Sequence, residues 1–245
     1  MYSNYHTHTQ RCNHATGSDE SYVERAIQGG FSLLGFSDHT PWPFRGGYRS
    51  PIRMAMEELD SYVLSISNLR AKYSDLIEIK IGLECEYYID HIDWLREQKE
   101  RLSLDYLILG NHFPYSEQNS FYAAEISSRT DLETYQKSSI EAMQSGLYNY
   151  FAHPELFMRS YPIIDDHTLH IWRDLVIAAR DFGVAFERNI SVQYSSKLWE
   201  VVAEVQPNVI IGVDAHDSKR LKNTEQYDIA ESELESLGIK AIKRL

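Results

Sequence analysis

The chain is short of several things. It has two cysteines, Cys12 and Cys85, in 245 residues. That is too few for a disulfide framework or a cysteine-built zinc site, and two free thiols in a reducing compartment are expected. No apolar run approaches the ~18 residues of a membrane span. The opening Met-Tyr-Ser-Asn-Tyr-His lacks the basic and apolar regions of a signal peptide, so a cytoplasmic protein with no membrane partner is expected. Basic residues are outnumbered by acidic ones, 24 to 36, for a formal charge of −12, and they form no stripe. Nucleic acid is therefore not an expected partner. No repeat, low-complexity tract or linker breaks the sequence, which reads as one domain over residues 1–245. That length suits a single α/β barrel, with roughly three quarters of the unfolded surface buried.

What is present is a regular alternation. Short β-like runs occur at Tyr2–Thr7, Ser32–Ser37, Glu78–Leu83, Tyr106–Gly110, Tyr148–Ala152, Val184–Glu187 and Val209–Val213. Most are continuously apolar, as in parallel strands covered on both faces. Between them the period becomes helical. Leu59, Tyr62, Val63, Ile66 and Leu69 form one stripe, and Leu169, Trp172, Val176 and Ala179 another. Asp165 or Asp166 caps the second and Gly183 ends it. Leu198, Val201, Val202 and Val205 follow a Ser195–Ser196 cap, and Leu234 and Leu237 precede Gly238. This is the pattern of β/α units and a parallel sheet. Two long connections, Thr40–Arg53 and Phe113–Thr130, read as lids or binding loops.

Ten histidines stand in this acidic chain. His6 and His8 close the first strand, and residues i and i+2 share a face ~6.6 Å apart. His14 follows in the loop. The second strand runs into Ser37-Asp38-His39, the third into Glu84, the fourth into Asn111-His112, the fifth into His153 and the seventh into Asp214-Ala215-His216. A lone strand-end histidine is usually structural. Nine nitrogen and oxygen ligands at the ends of six strands point to metal, because in a parallel barrel those ends share the face that carries active sites. Imidazole with carboxylate suits zinc, iron or manganese better than calcium or magnesium. Nine ligands exceed one ion, so two or three are expected. His91, His167 and His170 lie in helical stretches or caps and read as surface residues.

The motifs His6-Thr-His8, His14, Ser37-Asp-His39, Gly82-Leu-Glu84, Gly110-Asn-His112, His153-Pro and Asp214-Ala-His216 together resemble the PHP (polymerase and histidinol phosphatase) metal-dependent phosphoesterases, and within them the histidinol-phosphatase branch. The resemblance implies a distorted (β/α)7 barrel with a trinuclear cluster at its C-terminal face. One ion would take His6, His8, Glu84 and Asp214. A second would share Glu84 and take His112 and His153. A third would take His14, His39 and His216. Glu84, Asp214 and His216 are the candidate catalytic residues. The implied activity is hydrolysis of a small-molecule phosphate ester, L-histidinol phosphate, by in-line attack of a metal-bound hydroxide without a phosphoenzyme.

Substrate contacts are sparser in the sequence. Arg159 follows His153 by six residues and suits phosphate. Arg188 stands in Phe186-Glu-Arg-Asn189, where the branch usually has an aliphatic residue, a departure that bears on the substrate. Arg45, Arg49 and Arg53 sit on the first long loop. Glu86 shares a strand face with Glu84 and could meet a substrate ammonium, while alternation turns Asp38 away from the cluster unless it serves as a support, a proton shuttle or a helix cap. The rival readings are a phosphatase of another small ester or of protein phosphotyrosine, an amidohydrolase barrel, and a non-enzymatic metal sensor. The amidohydrolase barrel normally needs eight strands and has no third site such as His14, His39 and His216 provide. A sensor would not need an open cluster.

Overall fold

Strands and helices alternate along the chain, of which the computed structural model describes residues 2–245. The strands are β1 (Tyr2–Asn4), β2 (Phe31–His39), β3 (Glu78–Cys85), β4 (Tyr106–Leu109), β5 (Tyr150–Phe151), β6 (Ala185–Asn189) and β7 (Val209–Gly212). The helices are α1 (Asp19–Gln28), α2 (Leu59–Lys72), α3 (Ile92–Arg101), α4 (Arg129–Gln144), α5 (Asp166–Asp181), α6 (Ser196–Val205), α7 (Lys219–Lys222) and α8 (Glu225–Ser236). The strands follow one another in sequence order within one sheet. β2 pairs in parallel with β1 and β3, and β5 with β4 and β6. Past β7, Ala215 forms a parallel bridge with Thr7. The chain therefore has the seven parallel strands and β/α units that its alternation predicts, in the (β/α)7 barrel topology that the family resemblance implies. Among the described residues no helix is long and apolar enough to cross a membrane.

All seven strands differ from the sequence reading by one to three residues at one or both ends, and three of these differences shape the sheet most. β1 stops at Asn4 instead of Thr7 because the Asn4 side chain takes over the ladder. Its Nδ2 donates to the His6 carbonyl (2.9 Å), and its Oδ1 accepts from His6 N (3.2 Å) and Val213 N (2.9 Å). β2 runs on through His39, with His39 in register with Glu84. β5 is only two residues long. The second long connection is also not structureless, since a 3₁₀ turn at Ala123–Glu125 interrupts it and α4 begins at Arg129.

The chain divides into two compact units. The first comprises the chain through Glu84 with Asp90–Leu107 and Gly212–Tyr227. Here α2 buries Leu59, Tyr62, Ile66 and Leu69, while Val63 is only half-buried. Tyr106 is a central buried post: its hydroxyl donates to the carbonyls of Tyr5 (2.5 Å) and Phe36 (2.9 Å). Its ring passes so close to β2 and β3 that glycine is required at two places. A Cβ on Gly35 would meet Tyr106 Oη at 2.4 Å, and one on Gly82 the Tyr106 carbonyl at 2.6 Å.

The second unit comprises Cys85–Ile89, Ile108–Ile211 and Asp228–Leu245. Its core is aromatic, with Trp172 edge-on to Phe186 at 5.0 Å and the Trp172 indole donating to the Leu198 carbonyl (2.7 Å). Asp165 caps α5 by accepting from Thr168 N, and Gly183 turns the chain out of it at φ 68°. Leu169, expected in the apolar stripe of α5, is half-buried.

Candidate metal centre

In the first unit the histidine pair is fixed from both sides. Ser37 N donates to the Thr7 carbonyl (2.8 Å). On the other side His8 N donates to the Ala215 carbonyl (3.0 Å), and Ala215 N donates back to His6 O (3.1 Å). His6 and His8 are completely buried. A 3₁₀ turn at Gln10–Cys12, capped by Thr9 and left through Asn13 at φ 67°, brings His14 back toward them. The rings of His8 and His216 stack at 4.0 Å, His8 and His39 lie 4.4 Å apart, and His14 and His216 stack at 4.6 Å. Glu84 and Asp214 complete the group. Seven of the nine predicted ligands thus meet within one unit.

Donor separations test whether a metal fits. His6 Nε2 lies 3.4 Å from Glu84 Oε1 and 3.6 Å from Asp214 Oδ1, and His8 Nε2 lies 3.4 Å from Glu84 Oε2 and from Asp214 Oδ1. These are long for charge-assisted hydrogen bonds, which run ~2.7–2.9 Å. They match the edge of a tetrahedron whose centre is ~2.0–2.1 Å from each vertex, which is about 3.4 Å. Both ring nitrogens of His8, and Nε2 of His216, have no hydrogen-bond partner among the described residues. Burying such groups is costly unless a ligand engages them. Donor atoms of His6, His8 and Glu84, and of His8, His39 and His216, each lie within 4.8 Å of one another. The residues fit a divalent ion.

The electrostatics agree with a cation site. Burial opposes the charge on Asp214, yet His6, His216 and His8 outweigh it and hold its carboxyl well below the usual range. Burial likewise opposes protonation of His8, but Asp214 and Asp38 raise its pKa well above the ordinary value. Burial and the neighbouring His8 lower His216. Asp214 also sits at φ 52°, a left-handed conformation unfavourable for a residue with a Cβ.

Asp38 is not turned away. Its Oδ1 lies 3.5 Å from His8 Nδ1 and accepts from His39 N (2.9 Å), while Oδ2 accepts from the Thr9 amide and hydroxyl. It backs the ring of His8 on the side away from Glu84 and Asp214. Orientation of a ligand through its second nitrogen is a recurring device of metal sites.

The second unit holds His112 and His153, with ring centroids 4.9 Å apart. Glu86, expected to meet substrate, instead bonds His112 Nδ1 at 2.9 Å and is completely buried. His153 stands at φ 31°, and its N–H donates to Glu187 Oε2 (2.7 Å), which also accepts from Asn189 Nδ2 (2.9 Å). Asn111, beside His112, faces α4 and donates to Ser138 and Ser139. Arg188 is buried and occupied: its guanidinium bonds Glu233 (2.8 Å) and the Asn189 carbonyl, with the Tyr194 ring 5.0 Å away. Arg159 is exposed at the end of the Leu156–Arg159 turn. Glu155 is buried, and burial pushes its carboxyl up to about 7 against the opposing pull of Arg188. Nothing in its sequence context singled it out.

Of the other histidines, His170 is exposed and His167 bonds Glu133 at 3.0 Å. His91 is half-buried, packed against Trp42 and Phe44, and so is not a plain surface residue. The loop carrying Trp42 and Phe44 walls a cavity of about 430 Å³ that includes Asn13, Arg49 and Arg53 but not Arg45.

A seven-stranded parallel sheet with a histidine–carboxylate cluster beside its first strand defines a metal-site barrel. The sequence matches the PHP domain over residues 4–191, and the chain belongs to that family. Among its relatives, the probable histidinol-phosphatase of Deinococcus radiodurans is 27% identical over 209 residues, covering 82% of this chain and 76% of that protein. The histidinol-phosphatase of Bacillus subtilis is 32% identical over 92 residues, 36% of this chain and 34% of that one. The fold is that of the histidinol phosphate phosphatase of Lactococcus lactis, solved with zinc, L-histidinol and phosphate. That structure superposes with a TM-score of 0.80 at 20% identity, over 98% of this chain and 95% of its own.

Proposed function

We propose that this protein is a metal-dependent phosphomonoesterase that hydrolyses L-histidinol phosphate to L-histidinol and phosphate. The observation that carries the reading is the set of 3.4–3.6 Å separations among His6, His8, Glu84 and Asp214, the spacing of donors around a shared cation. The substrate is supported by the names of the relatives and by the ligands of the Lactococcus structure. Two or three ions of zinc, iron or manganese are proposed. His6, His8, Glu84 and Asp214 hold one, and His14, His39 and His216 another. Within the second unit, His112 and His153 are proposed as metal ligands.

When bound, such ions lower the pKa of a water and neutralise charge on the phosphate oxygens. The chain's own residues do the positioning. Glu84 and Asp214 supply the negative charge that retains cations, Asp38 and Glu86 set the ring orientations of His8 and His112, and exposed Arg159 is available to a phosphate oxygen. Arg188 is already paired with Glu233 and the Asn189 carbonyl, so it is not proposed to meet the phosphate.

The test is a phosphate-release screen of histidinol phosphate beside phosphotyrosine peptides, nucleotides and sugar phosphates, with and without chelator. Chelator-sensitive release with a clear preference for histidinol phosphate is expected. Chelator-sensitive release without that preference would overturn the substrate and keep the reaction class.

A further inference from the structure

We infer that Cys12 is a sulfur ligand at the ion position of His14 and His216, and that it biases this position toward thiophilic divalent ions such as zinc over manganese. The inference rests on the metal-centre reading above and adds a donor type to it. Cys12 is wholly buried, yet it lies among donors and not only among apolar side chains. Its sulfur and the ring nitrogens of His14 and His216 lie within 4.8 Å of one another, and it forms a second such group with His8 and Asp38.

Two further observations point to a ligand there. His216 Nε2 is buried with no hydrogen-bond partner among the described residues, and His8, about 1% exposed, has none on either nitrogen. The Nδ1 of His14 is tied to the Cys12 carbonyl at 2.7 Å, which leaves Nε2 as its coordinating atom. The 3₁₀ turn Gln10–Cys12 and the left-handed Asn13 hold Cys12 and His14 in one tight hook, so an ion engaging one is offered the other. As the metal–sulfur bond forms, the thiol proton leaves to solvent. Thiolate is a soft ligand, favouring zinc, cadmium and cobalt over manganese at a site otherwise built of imidazole.

The experiment loads the full chain with Co(II) and records the near-ultraviolet thiolate-to-cobalt charge-transfer band together with the cobalt count. The expected result is a band in the wild type and in Cys85→Ser that is lost in Cys12→Ser, with zinc-over-manganese preference falling in the same variant. Cobalt bound without a band, or a band that survives Cys12→Ser, overturns the sulfur ligand and leaves the metal centre standing. Failure to bind cobalt at all overturns both. Should Cys12→Ser fail to fold, cobalt-edge X-ray absorption of Cys85→Ser decides: a sulfur neighbour supports Cys12, and nitrogen and oxygen alone reject it.

Discussion

Asp38 shows how much of a metal centre lies behind its ligands. Its carboxylate spends one oxygen on Thr9 and places the other beside His8 Nδ1 and His39 N. Asp38→Asn keeps the shape but weakens the acceptor, and metal affinity should fall about 10- to 100-fold, read by competition with a chelating dye. Asp214→Asn should cost more, because it removes a donor and its charge, and the purified variant should carry less metal than wild type. Glu155 offers a test by pH. Its carboxyl is raised from 4.5 to about 7, so the folded state binds its proton more tightly than the unfolded one. The stability this contributes is present below pH 4.5 and is lost as pH rises through 7. Glu155→Gln should therefore gain stability relative to wild type across that window, by up to about 3 kcal/mol, in denaturant melts at pH 5 and 8. The nine proposed ligands stand out in the sequence because histidine and carboxylate recur at successive strand ends. Asp38, Glu86 and Glu155 were not. Alternation says where a side chain starts, not where a carboxylate curls to find an N–H, and no local pattern marks the left-handed φ of His153 and Asp214.

At the level of elements, the strands were easier to read than their ends. Apolar runs located all seven, but Asn4 ends β1 through a side chain that imitates a neighbouring strand, which periodicity does not register. Gly82 tests the packing that follows. A methyl there would meet the backbone of Tyr106 and not a flexible side-chain tip. Gly82→Ala should destabilise by about 1–3 kcal/mol, seen as a lower thermal midpoint. Gly183→Ala, in open space but at φ 68°, should lose only the backbone term of about 1 kcal/mol. The departure at Arg188 also has its explanation here. An arginine between Glu187 and Asn189 finds Glu233 on α8, so the buried charge is matched by an acid from a distant part of the chain that no local motif reveals.

For the whole molecule, the charge of −12 counts Glu84 and Asp214, whose charges bound cations would offset. Metal removal should therefore register as lost stability as well as lost activity. At free ion 100-fold above Kd, each site adds about 2.7 kcal/mol. Chelation should lower the midpoint by about 5–10 °C for each ion removed, and added zinc should restore it.

The Thr7–Ala215 bridge has a consequence for biosynthesis. His6 and His8 leave the ribosome about 200 residues before Asp214 and His216 do. Until translation has passed residue 216, the nascent chain lacks the Asp214 carboxylate that lies beside both imidazoles in the folded protein. An ion held by both segments would close a loop of about 200 residues, for which each doubling of length adds only about 0.6 kcal/mol of closure cost. Metal binding by these two segments would thus wait until residues 214–216 have been made, and a chain cut short before Asp214 would carry half of the proposed site.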